Sequence, residues 1–307
     1  MLRSLLISVA FTATFLQVSA QNREPSTLTP SDISSMTWVE AMQDYRVNFH
    51  TVVDKFNAEF DGKPYEKGHG WKQFKRWEYM MEERVGESGV RPNPSVLYQA
   101  IQQQQASTTT EYGEWSVMGP VNAPSGGGIG RINGVAFHPN HHDTIYAGAP
   151  AGGLWVSYDD GQSWTTFTDE LTNLGVSDLA IDPLHPDTMY LATGDRDAAD
   201  TYSFGLLKST DGGTTWNTTS LSWSTSQNYR IARIVVHPDS TNIVLAATNA
   251  GVYRSTNYGQ NFTLEQSGSF YGMRMGHGDT VFATTSGSSP KLYRSLDAGD
   301  TWSQMSN

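Results

Sequence analysis

The chain contains no cysteine, and it is short of cations, with 20 Lys and Arg set against 31 Asp and Glu. Without a thiol there can be no disulfide, no Cys-ligated zinc or iron–sulfur cluster and no cysteine nucleophile. A formal charge of −11 argues against a nucleic-acid partner, because displacing phosphate counterions requires a basic surface. Charged residues as a whole make up 17% of the chain, below the usual quarter. Beyond the first twenty residues no apolar run is long enough to span a bilayer, which excludes a membrane span there. What the sequence does have is 29 Gly, 9 Trp, 14 Tyr and 12 Phe, with abundant Ser and Thr. That is the composition of a turn-rich β protein whose core is built largely on aromatics, and 307 residues allow one large domain or two ordinary ones.

Residues 1–20 read as a signal peptide. Arg3 supplies the positive start, Leu5 to Leu16 the apolar run, and Val18-Ser19-Ala20 the small-residue cleavage site. The alternative, an uncleaved anchor, needs about 20 apolar residues and the run is shorter. The mature chain is therefore expected to begin near Gln21 and to be secreted or displayed at the cell surface.

Residues 21–101 read as a helical segment. Phe49, Val52, Val53, Phe56 and Phe60 form one apolar stripe at helical spacing, and Trp71, Phe74, Trp77 and Met81 form a second. Lys72, Lys75 and Arg76 interleave with those aromatics, but Glu78, Glu82 and Glu83 follow within two turns, so the pattern is that of a salt-bridged helix face. Gln102–Gln105 and the Ser/Thr tract after it read as a polar linker over 102–114.

From residue 115 to 307 the pattern becomes short alternating runs punctuated by glycine. Four copies of one box recur: Ser157, Asp159, Gly161, Trp164; Ser209, Asp211, Gly213, Trp216; Ser255, Asn257, Gly259, Phe262; and Ser295, Asp297, Gly299, Trp302. Successive boxes are 52, 46 and 40 residues apart, the length of a four-stranded propeller blade. A short oxygen-bearing side chain at the third position accepts turn N–H groups, the glycine allows φ > 0, and the closing aromatic packs between blades. Ahead of three boxes an apolar strand ends at a residue followed by proline, His138-Pro139, Asp182-Pro183 and His237-Pro238. His138, His141, His142 and Asp143 therefore read as a turn of variable composition in preference to a zinc site.

These boxes resemble those of the Asp-box (BNR-repeat) β-propellers, which include sortilin-like receptor domains, sialidases and xyloglucan-cleaving glycosidases. The resemblance implies an all-β propeller of four-stranded blades, with the box residues structural and remote from the ligand face. The N-terminal part resembles secreted Gram-negative proteins exported by a type IX secretion system, through Met36-Thr37-Trp38, Asn48-Phe49 and the stretch from Gly70 to Glu78. Such proteins usually carry a C-terminal sorting domain, which does not fall within these residues. Glu114-Trp115-Ser116 reads as an outer strand that completes a blade later than the fourth, so the four visible blades are expected to be part of an incomplete propeller.

The resemblance bears on activity through departures. Sialidases carry an aromatic-Arg-Ile-Pro motif before their first box; Tyr229-Arg230-Ile231-Ala232 lacks the proline and lies between boxes two and three. Xyloglucan-cleaving enzymes place an acid in a segment whose counterpart runs from Tyr146 to Gly153, where Pro150 stands at the acid's position. An acid pair for glycoside cleavage would have to come from elsewhere. Two readings follow: a secreted, non-catalytic propeller that binds extracellular protein or polysaccharide, and an extracellular glycoside hydrolase, xyloglucanase-like or sialidase-like, with its carboxylates outside these motifs. Arg131, Arg230 and Arg233, at the start of inner strands, are candidates for binding an anionic or hydroxyl-rich ligand, the alternative being salt bridges to acids such as Asp178. Asp195, Asp197 and Asp200, in a long blade-two loop, are candidates for a structural Ca²⁺; no other cofactor is expected.

Overall fold

The computed structural model describes residues 28–66, 69–107, 130–197, 201–287 and 289–305. The signal-peptide assignment and the outer strand at Trp115 lie outside them. Five helices come first: α1 (Pro30–Ser35), α2 (Trp38–Gln43), α3 (Phe49–Phe60), α4 (Trp71–Val85) and α5 (Pro94–Ser107). Thr29 and Thr37 close capping boxes with Asp32 and Glu40, which fixes where the two short helices begin. The two expected stripes then pack together, with Trp38, Val52, Phe56 and Phe74 buried in one core and the Phe56 and Phe74 rings stacked 3.7 Å apart. Helix α5 continues through Ser107, so residues 102–107 of the expected linker are helical. Its Gln-rich tail contains no Gly or Pro to stop the helix.

The remainder is four antiparallel sheets of four strands, each in sequential order. Blade 1 holds β1 (Gly134–Phe137), β2 (Ile145–Ala149), β3 (Gly153–Ser157) and β4 (Thr165–Thr166); blade 2 holds β5 (Val176–Ile181), β6 (Met189–Thr193), β7 (Gly205–Ser209) and β8 (Asn217–Ser222). Blade 3 holds β9 (Ile231–Val236), β10 (Val244–Thr248), β11 (Gly251–Ser255) and β12 (Thr263–Ser267); blade 4 holds β13 (Phe270–Met275), β14 (Val281–Thr285), β15 (Leu292–Ser295) and β16 (Ser303–Gln304). The first strands β1, β5, β9 and β13 lie side by side, as the inner strands of successive propeller blades do. Strands β6 and β10 are buried along their whole length because a neighbouring blade covers each face, which is why they read as continuous apolar runs.

Each box is the hairpin between a blade's third and fourth strands. In the first, the Ser157 hydroxyl accepts the N–H groups of Asp159 and Gly161 and donates to Asp159 Oδ1 at 2.7 Å, while Asp159 accepts the Ser163 N–H and hydroxyl. The box glycines have φ between +74° and +90°. Trp216, Phe262 and Trp302 pack against the clusters shared with the preceding blade. A cation just before the box reaches forward: Lys208 Nζ donates to the Tyr258 carbonyl at 2.8 Å, and Arg254 Nε to the Ala298 carbonyl at 3.0 Å.

Candidate functional site

The β6–β7 connection of blade 2 lies across the end of the blades where the inner strands begin. Thr193 holds its base, accepting the N–H groups of Phe204 and Gly205 and donating to the Gly205 carbonyl. From there Asp195, fully buried, receives Arg131 Nη2 at 2.5 Å, Asn133 Nδ2 at 3.0 Å and the Asp197 N–H at 3.0 Å. Arg196 donates to the Asn133 carbonyl of blade 1 at 2.8 Å and the Ala232 carbonyl of blade 3 at 3.0 Å. The Tyr271 hydroxyl of blade 4 donates to the Asp197 carboxylate. One loop therefore ties together the inner ends of all four blades.

Two of the three residues expected to hold Ca²⁺ are engaged by arginines. Arg131 Nη2 meets Asp195, and Arg131 Nη1 lies 3.8 Å and Arg196 Nε 3.6 Å from Asp197. Asp200 lies outside the described residues, among which no group of three His, Asp or Glu side chains is placed to hold a metal.

The three arginines expected to bind a ligand are brought to the same end, in different states. Arg131 is tied to Asp195. Arg233 pairs with Asp178 at 3.0 Å, the salt-bridge alternative, while the Ile234 N–H donates to the other Asp178 oxygen. Burial outweighs these partners and pushes the Asp178 carboxyl up. Arg230 has neither arrangement. Its Nη1 is sealed from solvent with no hydrogen-bond partner among the described residues. Burial pushes its guanidinium below the ordinary value, against the opposing influence of Asp195, Tyr202 and Asp44.

The helical segment rests on this end as well, a placement sequence reasoning missed. Gln43 Nε2 donates to the Asp197 carbonyl at 2.7 Å, Ser95 Oγ lies 2.9 Å from Ser224 Oγ, and the Tyr98 ring is 5.6 Å from Phe204. Buried Arg91 caps the carbonyls of Ala41, Met42 and Asp44 and bonds the phenol of half-buried Tyr202. Arg91 carries no local motif; a lone arginine before Pro92 gives no sign of what it will cap. Arg196 had a signal, an Asp-Arg-Asp alternation that pairs a cation with its own neighbours.

Fold and boxes together define a run of Asp-box β-propeller blades. The Sortilin-Vps10 family, described as "Sortilin, neurotensin receptor 3", matches residues 152–268. A xyloglucanase of Paenibacillus sp is 28% identical over 223 residues, covering 60% of this chain and 22% of that protein. A xyloglucanase of Hypocrea jecorina is 29% identical over 228 residues, covering 60% and 27%. Among solved structures, an ancestral GH74 enzyme aligns with a TM-score of 0.50 at 22% identity, over 57% of this chain and 25% of that one, a likeness of fold. The chain thus spans about a quarter of the length of these curated relatives. No helix among the described residues is long and apolar enough to cross a membrane.

Proposed function

We propose that these blades belong to an extracellular, polysaccharide-acting protein of the xyloglucanase kind, whose loop end, around Asp197, Arg230 and Tyr271, faces the glycan. The observation that carries this reading is the similarity to xyloglucanases over 60% of the chain, more than the helical segment alone can account for. The chemistry of the face supports it: carboxylates, guanidinium groups and the half-exposed Tyr271 side chain offer hydrogen bonds and a flat surface to sugar rings. Asp195 and Asp178 are locked by arginines and suit a shape-holding role, whereas Asp197 keeps solvent access.

One observation favours a second reading, binding without cleavage. Pro150 stands in the β2–β3 turn where the xyloglucan-cleaving pattern has its acid, so the pair of carboxylates that hydrolysis needs cannot be assembled from that turn. Reducing-end release from soluble xyloglucan by the full-length protein separates the two. Turnover that falls by about 10²-fold or more in Asp197→Asn supports hydrolysis on this face. Retained xyloglucan binding with no release of reducing ends supports the binding reading, and neither binding nor release rejects both.

A further inference from the structure

Blade 1 bares an apolar face that the other three blades bury. Val135 and Phe137 on β1, Trp155 on β3 and the box residue Trp164 are exposed by 57%, 65%, 37% and 41%. Val135, Ala147 and Trp155 form one row across the sheet, and Phe137, two residues on, shares their face. In the later blades the same row begins with Leu179, Ile234 and Met273, whose exposures fall to 8%, 6% and 7%. At its other end stand Leu207, Tyr253 and Tyr293. All six belong to clusters completed by the preceding blade, as the later box aromatics do. Among the described residues no blade precedes blade 1, so the face it turns backward is an apolar patch of the kind that marks an interaction site.

Blade 4 carries the complementary half. On the opposite face of blades 2 and 3, Tyr190 is paired with Lys208 and Leu245 with Arg254, and each cation reaches a box carbonyl of the next blade. In blade 4 the same positions hold Phe282 and Arg294, with Arg274 beside Phe282 on the first strand. Both arginines are exposed, and the Arg294 guanidinium has no partner among the described residues. Blade 1 in turn offers the acceptor. Asp160, fourth in its box, has φ +57°, against +56° and +53° for the acceptors Tyr258 and Ala298, so its carbonyl is presented as theirs are. Arg254 bonds a box carboxylate, Asp300, as well as its carbonyl, and Asp160 brings a carboxylate of its own.

We propose that two copies of this chain join head to tail, the open face of blade 4 in one covering the apolar face of blade 1 in the other. Phe282 then lies over the first box as Tyr190 and Leu245 lie over the third and fourth, and Arg294 bonds Asp160. The occupant is a second copy because both halves of a contact that the molecule already uses between its own blades lie unused on one chain. Charge agrees, two arginines coming from blade 4 and an acid from blade 1. A contact between unlike faces either closes into a ring or propagates. Two chains of four blades make eight, within the range at which propellers close. The pairing does not depend on the polysaccharide reading.

Sedimentation equilibrium of the full chain, from about 1 µM, where single chains should prevail, to about 100 µM, should show the average mass double. Phe137→Lys and Arg294→Glu change exposed side chains, so each variant keeps the fold, as circular dichroism will check. Each should need at least about tenfold more chain to associate. Mixed in equal amounts, the two variants retain one sound contact, blade 4 of the Phe137→Lys chain against blade 1 of the Arg294→Glu chain. The mixture should therefore form more two-chain species than either variant alone. A wild type that stays monomeric throughout overturns the pairing and assigns both faces to further blades of the same kind. Two-chain species indifferent to both variants, a mixture no better than its parts, or a ladder of ever longer species overturns it as well.

Discussion

At the scale of the residue, the boxes are small acid-sensitive devices. Asp159 and Asp211 are held down to about 2 by the side-chain hydroxyl and backbone N–H of Ser163 and Thr215, together with the hydroxyls of Ser157 and Ser209. Asp297 also sits at about 2: burial, the largest single influence, opposes the shift, and the Thr301 hydroxyl and N–H with the Ser295 hydroxyl together outweigh it. A carboxylate depressed in the folded state contributes stability that is complete above its unfolded value, near 3.8, and is lost as pH falls toward 2. Tm should therefore decline between about pH 4 and pH 2, and Asp159→Asn, Asp211→Asn and Asp297→Asn combined should flatten that decline, as measured by calorimetry across the range. An unchanged slope in the triple variant would refute the assignment. The third box is already of this kind. Asn257 accepts the Asn261 N–H at 2.9 Å, and Asn261 brings no hydroxyl of the kind that Ser163, Thr215 and Thr301 bring to the aspartates. Both partners have changed together, which is why the box remained legible despite losing its acid.

At the scale of the element, the box turns of blades 3 and 4 are each a knob against the second strand of the blade before. A Cβ built on Gly259 would meet the Tyr190 ring at 2.6 Å, and one on Gly299 would meet Leu245 at 2.5 Å. Gly161, in blade 1, has only its own Trp164 within contact, at 3.6 Å. All three glycines have positive φ, so the backbone term is shared and the contact term is not. Gly259→Ala should cost about 2–4 kcal/mol, combining left-handed strain with overpacking, and Gly161→Ala only about 1 kcal/mol, as read from urea unfolding. Equal costs would show that the knob does not seal the blades. The turns before the boxes illustrate how pattern outlived identity. Asp182 Oδ1 accepts the N–H groups of Leu184 and His185, while His237 Nδ1 accepts those of Asp239 and Ser240. Either residue type presents an acceptor of the required reach, so the histidines belong to turn chemistry, as their alignment implied. Strand order, box geometry and the two helical stripes could be read because each depends on residues close in sequence.

At the scale of the molecule, what could not be read is what joins distant parts. The Arg196 bridges, the Arg131–Asp195 pair and the seat of the helical segment each link residues tens of positions apart or more, and no periodicity records them. The candidate arginines were recognisable only as cations at strand starts; which of them would be left without a partner depended on where Asp178 and Asp195 happened to fall. The seat itself can be checked directly because the chain has no cysteine of its own. Ser95→Cys combined with Ser224→Cys, whose hydroxyl oxygens are 2.9 Å apart, should form a single disulfide on mild oxidation, seen as a loss of free thiol and a faster-migrating band without reductant. Free thiols persisting under oxidant would mean that the helices do not dwell on the blades.

The forward-reaching cations have an evolutionary corollary. In each observed pair the donor stands one residue before a box and the acceptor is the fourth residue of the next, Lys208 to Tyr258 and Arg254 to Ala298. The link therefore has polarity, running from N-terminal blade to C-terminal blade. Because donor and acceptor positions both lie within one repeat, a unit copied in tandem arrives with an outgoing hand for its successor and an incoming socket for its predecessor. Whole blades can then be gained or lost during evolution with the junctions kept intact, whereas a break within a repeat would strand one half of the link.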